Sequence, residues 1–234
     1  MQSYFIWNGV DSRSMGLTSK GHAPRVRPEE RVEHVAIPGR SGDLTELEGE
    51  NIYNSYIQTV SFSVPGSRVN ALYRWMRGGG YVTFSGEPDK QQKARVIGAI
   101  TLDRVSRNLD RWTGSAQFYC QPLKERVFDT PATLTEAGTL RNAGDVAARP
   151  VIFAVPAENA EEMAITVNGQ TLAITGFDGP VIIDSGAMAV TNIDRTVILT
   201  QHTAGQFPVL AVGSNIIGGS GWASLEITKN ERFL

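Results

Sequence analysis

Met163-Ala164-Ile165-Thr166-Val167-Asn168-Gly169-Gln170-Thr171-Leu172-Ala173-Ile174 is two strand-like apolar runs joined by Asn-Gly. Asn-Gly tolerates the positive φ angles of a type I′ turn, so the segment is a strong hairpin signal. Further short strands surround it at turn-separated spacing: Val151–Val155, Val181–Asp184, Met188–Thr191, Thr196–Leu199 and Trp222–Thr228. Many short strands without a helical pattern predict a second half that is entirely β and folds as a sandwich.

The first half also reads mostly as strands. Val60, Phe62 and Val64 alternate with Ser61 and Ser63, a period of two with one buried face. Tyr81–Phe84 is β-branched and aromatic. Lys93–Val105 reads as a strand with Gly98 as a bulge or bend. Trp112–Gln121 alternates through Trp112, Ala116, Phe118 and Cys120. One helix interrupts the strands. Pro65-Gly66-Ser67 marks its start with Ser67 as N-cap, and Val69, Leu72, Tyr73 and Met76 form its apolar stripe. Arg74 and Arg77 lie toward its C-terminus, and Gly78-Gly79-Gly80 ends it. The segment predicts about three turns, packed on a sheet.

The 234 residues allow one large or two small domains, and 41% hydrophobic residues suffice for a core. Charge is uneven. Residues 1–125 hold 16 Lys/Arg against 13 Asp/Glu, and residues 126–234 hold 6 against 11. Around Pro122–Arg126 the long strand pattern also stops. Both observations predict two domains, 1–125 and 126–234. The net charge of −2 disfavours a strongly basic nucleic-acid binder.

Cys120 is the one cysteine, so a disulfide framework and a cysteine-based zinc site are excluded, and it reads as a buried strand residue. His22, His34 and His202 are scattered without metal-ligand spacing. No apolar run reaches the roughly 18–20 residues that cross a bilayer, so no membrane insertion is expected. Tyr4-Phe5-Ile6-Trp7 has no basic flank, and there is no glycosylation sequon, so the chain reads as free of a signal peptide and soluble in a reducing cytoplasm.

Catalytic motifs are missing. There is no Gly-x-Ser-x-Gly elbow. Gly213 and Gly218 are spaced like a phosphate loop, but Gly219-Ser220 follows where Lys-Ser/Thr is needed, so these read as loop glycines. Asp178, Asp184 and Glu226 are available carboxylates whose separation sequence does not fix. The expectation is therefore no enzyme, no catalytic residue, no metal and no cofactor. Among the tryptophans, Trp7 and Trp112 read as core. Trp75 lies off the helix stripe and reads as an interface residue. Trp222 follows a glycine-rich loop and is the candidate for a sugar contact.

Residues 68–111 hold nine Lys/Arg against four Asp/Glu. Upstream, Asp43, Glu46, Glu48 and Glu50 form an acidic stretch. Opposite patches on different surfaces of one molecule suit a head-to-tail contact between copies, which closes into rings. The candidate inter-subunit residues are Arg40, Asp43, Glu46, Glu48, Glu50, Arg74, Trp75 and Arg77.

Taken together, the chain resembles the phage distal tail protein (Dit) family, the baseplate hub of long non-contractile tails. The resemblance is carried by Phe5-Ile6-Trp7-Asn8-Gly9 with Met15-Gly16-Leu17, by Ile37-Pro38-Gly39-Arg40-Ser41-Gly42-Asp43, and by the short helix after Pro65 leading to Tyr81–Phe84. In the second half it is carried by Asn142-Ala143-Gly144, Arg149-Pro150, Ile183-Asp184, Phe207-Pro208 and Gly213-Ser214-Asn215. It implies a mainly β protein with two domains. The N-terminal one is a tail-tube-like β-sandwich with one helix and a hairpin, and the C-terminal one a galectin-like β-sandwich. It also implies a homo-hexameric ring at the distal end of the virion tail, made in the bacterial cytoplasm. The implied partners are the tail tube protein, the tail-tip or tail-associated lysin protein and a receptor-binding protein, with phage DNA passing the bore without specific binding. On this reading Ile37–Asn51 is an extended loop or hairpin reaching the neighbouring copy, and Arg40 is placed for a bidentate carboxylate contact. The rivals are a carbohydrate-binding module of a phage tail adsorption device, which predicts an exposed Trp222, and another tail-tube or tail-tip component.

Overall fold

The computed structural model describes residues 3–21, 23–47, 49, 51–106 and 108–234. His22, Glu48, Glu50 and Arg107 lie outside the described residues. The chain divides into two compact units, Met1–Val127 with Leu234, and Phe128–Phe233.

The first unit contains β1 (Phe5–Trp7), β2 (Val10–Asp11), β3 (Thr18–Ser19), β4 (Val32–Ala36), β5 (Asp43–Leu47), β6 (Tyr56–Pro65), helix α1 (Val69–Trp75), β7 (Gly79–Phe84), β8 (Lys90–Ile97), β9 (Leu102–Ser106) and β10 (Leu109–Arg126). Its main sheet is antiparallel, in the order β2-β1-β7-β8-β10-β6-β3, and β9 pairs with the start of β10. Alternation along β6 and β10 drives Val60, Phe62, Val64, Ala116, Phe118 and Cys120 into one core with Phe5, Trp7, Leu72 and Met76. Burial pushes the Cys120 thiol up to about 12, which makes it an inert packing group.

Three local expectations are corrected. The helix has 7 residues, about two turns, preceded by a 3-10 turn over Gly66–Arg68; its N-cap residue is Arg68, and no side chain caps it, so Ser67 does not. Its buried stripe is Val69, Leu72, Trp75 and Met76, while Tyr73 is 43% exposed. Trp75 displaces Tyr73 because Phe5 offers a stacking partner, with ring centroids 5.7 Å apart and planes at 11°. Its indole nitrogen also donates to the Trp7 carbonyl at 3.2 Å. Trp75 is thus half-buried rather than exposed. Finally, Lys93–Val105 is not one strand: Gly98, with φ +68°, separates β8 from β9.

The second unit contains β11 (Ala132–Leu134), β12 (Gly138–Asn142), β13 (Val151–Pro156), β14 (Glu162–Val167), β15 (Gln170–Thr175), β16 (Val181–Asp184), β17 (Ala189–Asn192), β18 (Thr203–Gly205), β19 (Gly213–Ser220) and β20 (Trp222–Thr228). They form two antiparallel five-stranded sheets, β11-β20-β13-β16-β17 and β12-β19-β14-β15-β18. Ile152, Ile183, Val190, Leu225 and Ile227 from one sheet share a single core with Met163, Ile165, Leu172, Ile174 and Ile217 from the other, which makes a sandwich. The β14–β15 hairpin turns through Asn168 at φ +50° and Gly169 at φ +85°, as Asn-Gly predicts.

Two second-half readings change. Thr196–Leu199 is not a full strand: it returns alongside β17 through a single antiparallel bridge, Ile198 to Thr191, after a turn at Ile193–Asp194, where the Asn192 side chain accepts from the Thr196 and Val197 amides at 2.8 and 2.9 Å and Arg195 sits at φ +55°. Gly213–Gly218 is not a loop but most of β19, between β12 and β14. Its alternation is carried by buried Asn215 and Ile217 against exposed Ile216. Later in the same strand, Gly219 needs its missing Cβ: one there would lie 1.9 Å from the Ala164 carbonyl.

Candidate functional site

Strands β4 and β5 form a two-stranded ribbon separate from the unit's main sheet. The register pairs Val32 with Leu47, Glu33 with Glu46, His34 with Thr45, Val35 with Leu44 and Ala36 with Asp43. Residues before and after continue the antiparallel pairing at its base: Arg31 donates its amide to Ile52 at 2.9 Å, and Asn54 to Glu29 at 2.8 Å. The hairpin therefore begins before Ile37. Its connecting loop turns through Gly39 and Gly42, at φ +80° and +83°, and presents Arg40 to solvent.

A lone two-stranded hairpin is marginal in water. This one exposes both faces, with Leu47 63% exposed and Val35 and Leu44 close to 40% (38% and 39%). Unpaired ladder groups along both edges are docking sites for another chain. Asp43 and Glu46 are exposed on β5. Glu33, which sequence reading passed over, stands directly opposite Glu46; like charges placed so are destabilising unless a cation lies between them. Arg74 and Arg77 are exposed on and just after α1. Among the described residues, Arg40, Asp43, Glu46, Arg74 and Arg77 make no ion pair within the chain.

A second group missed in the sequence is partly buried, with Lys124 and Gln92 enclosed. Lys124 donates to Glu87 Oε2 at 2.8 Å, and Lys90 to Glu87 Oε1 at 3.1 Å. Burial raises the Glu87 carboxyl, but the hydrogen bonds from Lys124 and Lys90 outweigh it and hold the group below its usual range. Beside it, Tyr56 donates to Gln92 Oε1 at 3.0 Å, and Gln92 donates on to the Gln121 carbonyl. These contacts tie β6, β8 and β10 together.

The candidate catalytic carboxylates do not converge. Asp184 Oδ1 accepts from the Gly186 and Ala187 amides, both at 2.9 Å, and so closes a turn. Glu226 is exposed on β20. Asp178 is the one ionisable residue lining an apolar cavity of about 320 Å³ formed with Phe177, Pro180, Ile193, Val197 and Leu199. Trp222 packs half-buried against the second core, with its indole nitrogen enclosed. Among the described residues, no group of three His, Cys, Asp or Glu side chains is arranged to hold a metal ion.

No protein-family profile matches the chain. A comparison with curated protein sequences finds no match either. Solved structures do match. The crystal structure of the SPP1 Dit protein (gp 19.1), described as a paradigm of the hub adsorption apparatus in phages infecting Gram-positive bacteria, superposes with a TM-score of 0.78 over 100% of both chains, at 17% sequence identity. The likeness covers both units and shows that this chain has the Dit β-sandwich fold.

Proposed function

We propose that this chain is the hub of a phage tail: a homo-hexameric ring at the distal end that joins the tail tube to the tail-tip or tail-associated lysin protein. The observation that carries it is the likeness to a hub adsorption protein over the whole of both chains. On this reading the unit Met1–Val127 is a tail-tube-like ring former and Phe128–Phe233 a galectin-like domain open to a receptor-binding protein. The role needs no reactive group. It needs a bore for DNA and surfaces that fit between copies.

The β4–β5 ribbon supplies such a surface. It reaches a neighbouring copy, where its acids, Asp43 and Glu46 with Glu33, meet the exposed guanidinium groups of Arg74 and Arg77. Arg40 at the tip engages a carboxylate of that neighbour. Trp75 supports the surface from within, by holding α1 on the core. The sugar-binding alternative draws no support from Trp222, whose ring is committed to packing.

Native mass spectrometry across a concentration series tests the proposal, with and without co-expressed tail-tip protein. A species of six chains, seen as a ring with a central hole by negative stain, is the expected result. Monomer under every condition overturns it.

A further inference from the structure

The face of the first unit's sheet that points away from its core carries two exposed cations on one strand, with a tyrosine on the strand to either side. Strands β6, β7 and β8 contain no Asp or Glu, and β10 carries them only at Asp110 and Glu125, close to its ends. The pairing register lines up Gly79, Arg95, Tyr119 and Ile57 as one row across four strands. Tyr81 pairs with Lys93 in the adjacent row. Lys93 and Arg95 are exposed, as are Tyr81 at 40% and Tyr119 at 42%. Neither cation has a carboxylate partner among the described residues.

Strands lie about 4.8 Å apart and alternate residues about 6.6 Å apart along a strand. The two tyrosines therefore stand about 10 Å apart across the sheet and about 7 Å apart along it, with the two cations on the strand between them. We propose that this sheet face binds a single nucleic-acid strand without regard to sequence. Lys93 and Arg95 take its phosphates, and Tyr81 and Tyr119 offer stacking faces to unpaired bases. The acids that share this face, Glu125 opposite Gln91 and Asp103 opposite Thr113, lie beyond the row of Arg95 and Tyr119 on either side, so the centre of the face is cationic and favours a polyanion over a protein partner of mixed charge. The chain's net charge of −2 conceals this patch. The inference rests on one sheet face of one chain and holds whether or not the chain closes into a ring.

Fluorescence anisotropy of the full chain with a short fluorescein-labelled oligothymidylate tests it across a salt series. Binding is expected to weaken as salt rises. The double variant Lys93→Gln/Arg95→Gln should lower the slope of log K against log salt by about 1.4, because two phosphate contacts on a single strand are lost. Tyr119→Ala should weaken binding about tenfold and leave the slope unchanged. Arg141→Gln, on an exposed position of β12 in the second unit, should change neither. All these side chains are exposed, and circular dichroism confirms that each variant is folded. The proposal is overturned by absence of binding, or by equal binding of the double variant. It is also overturned if duplex and single strand bind equally with no effect of Tyr119→Ala. A change in oligomer mass with anisotropy unaltered would assign the face to a protein contact instead.

Discussion

Glu33 faces Glu46 directly across the β4–β5 ladder, on a ribbon whose own chain offers neither a salt-bridge partner among the described residues. Such a pair costs stability in the isolated chain, on the order of 0.5 kcal/mol. A cation from outside turns that cost into attraction. The double variant Glu33→Gln/Glu46→Gln should leave urea unfolding of the single chain unchanged or slightly improved. It should also weaken assembly and make it less sensitive to salt. Light scattering after size exclusion at low and high salt reads both effects. Assembly identical to the parent at every salt concentration would remove the ribbon's acids from the contact.

Arg74 and Arg77 are the proposed other half of that contact. Their exposure means that Arg74→Glu/Arg77→Glu costs little fold stability, within about 0.5 kcal/mol for surface substitutions. In the assembly it places acid against acid. The expected result is loss of the six-chain species in native mass spectrometry with an unchanged melting temperature. Rescue by combining it with Glu33→Lys/Glu46→Lys would identify the two surfaces as partners.

Trp75 separates what sequence shows from what it hides. The helix itself was legible from Pro65, the glycines after it and the spacing of Val69, Leu72 and Met76. Which aromatic joined them was not, because Phe5 selects Trp75 through a contact that spans most of the unit. The Asn168-Gly169 hairpin was legible because its turn chemistry is local. Strand β19 was not, since its glycines imitate a loop and its reason for having them is the Ala164 carbonyl on another strand. The acidic arm was visible from Asp43 and Glu46, but Glu33 entered only once the ladder register was known. Lys124 reads as an ordinary surface lysine until Glu87, 37 residues away, is seen to bury it. Replacing Trp75 with Ala should cost about 3 kcal/mol in urea unfolding, the usual scale for losing a packed aromatic. A cost near zero would mean that α1 is held by Leu72 and Met76 alone.

The glycines that end β19 make a sharper claim about backbone approach. A Cβ at Gly219 would lie 1.9 Å from the Ala164 carbonyl, and one at Gly221 would lie 2.1 Å from the Glu162 carbonyl; their φ angles are +129° and +72°. Gly219→Ala is expected to destabilise the chain by more than 2 kcal/mol, from strain and the broken β14–β19 ladder together. Gly169→Ala, with open space around it, should cost only the strain of its positive φ, about 1 kcal/mol. Thermal melts of the two variants should therefore differ, and equal losses would contradict the close approach of β19 to β14.

Glu87 gives a signed pH dependence. Its carboxyl is held below the ordinary value of 4.5 because the hydrogen bonds from Lys124 and Lys90 outweigh its desolvation. A carboxyl depressed in the folded state contributes stability that is complete above its unfolded value and is lost as pH falls through the folded one. The parent should therefore lose melting temperature on acidification from about pH 4.5 downward. Glu87→Gln should flatten that part of the profile. At neutral pH, Glu87→Ala removes the Glu87 carboxylate from the enclosed Lys124, which keeps only its bond to the Leu234 oxygen at 3.2 Å, and should cost about 3 kcal/mol. The double variant Glu87→Ala/Lys124→Met removes the stranded charge and should recover much of that loss. If the double variant is as unstable as Glu87→Ala alone, the penalty lies in packing around β8 and β10 rather than in an unpaired lysine.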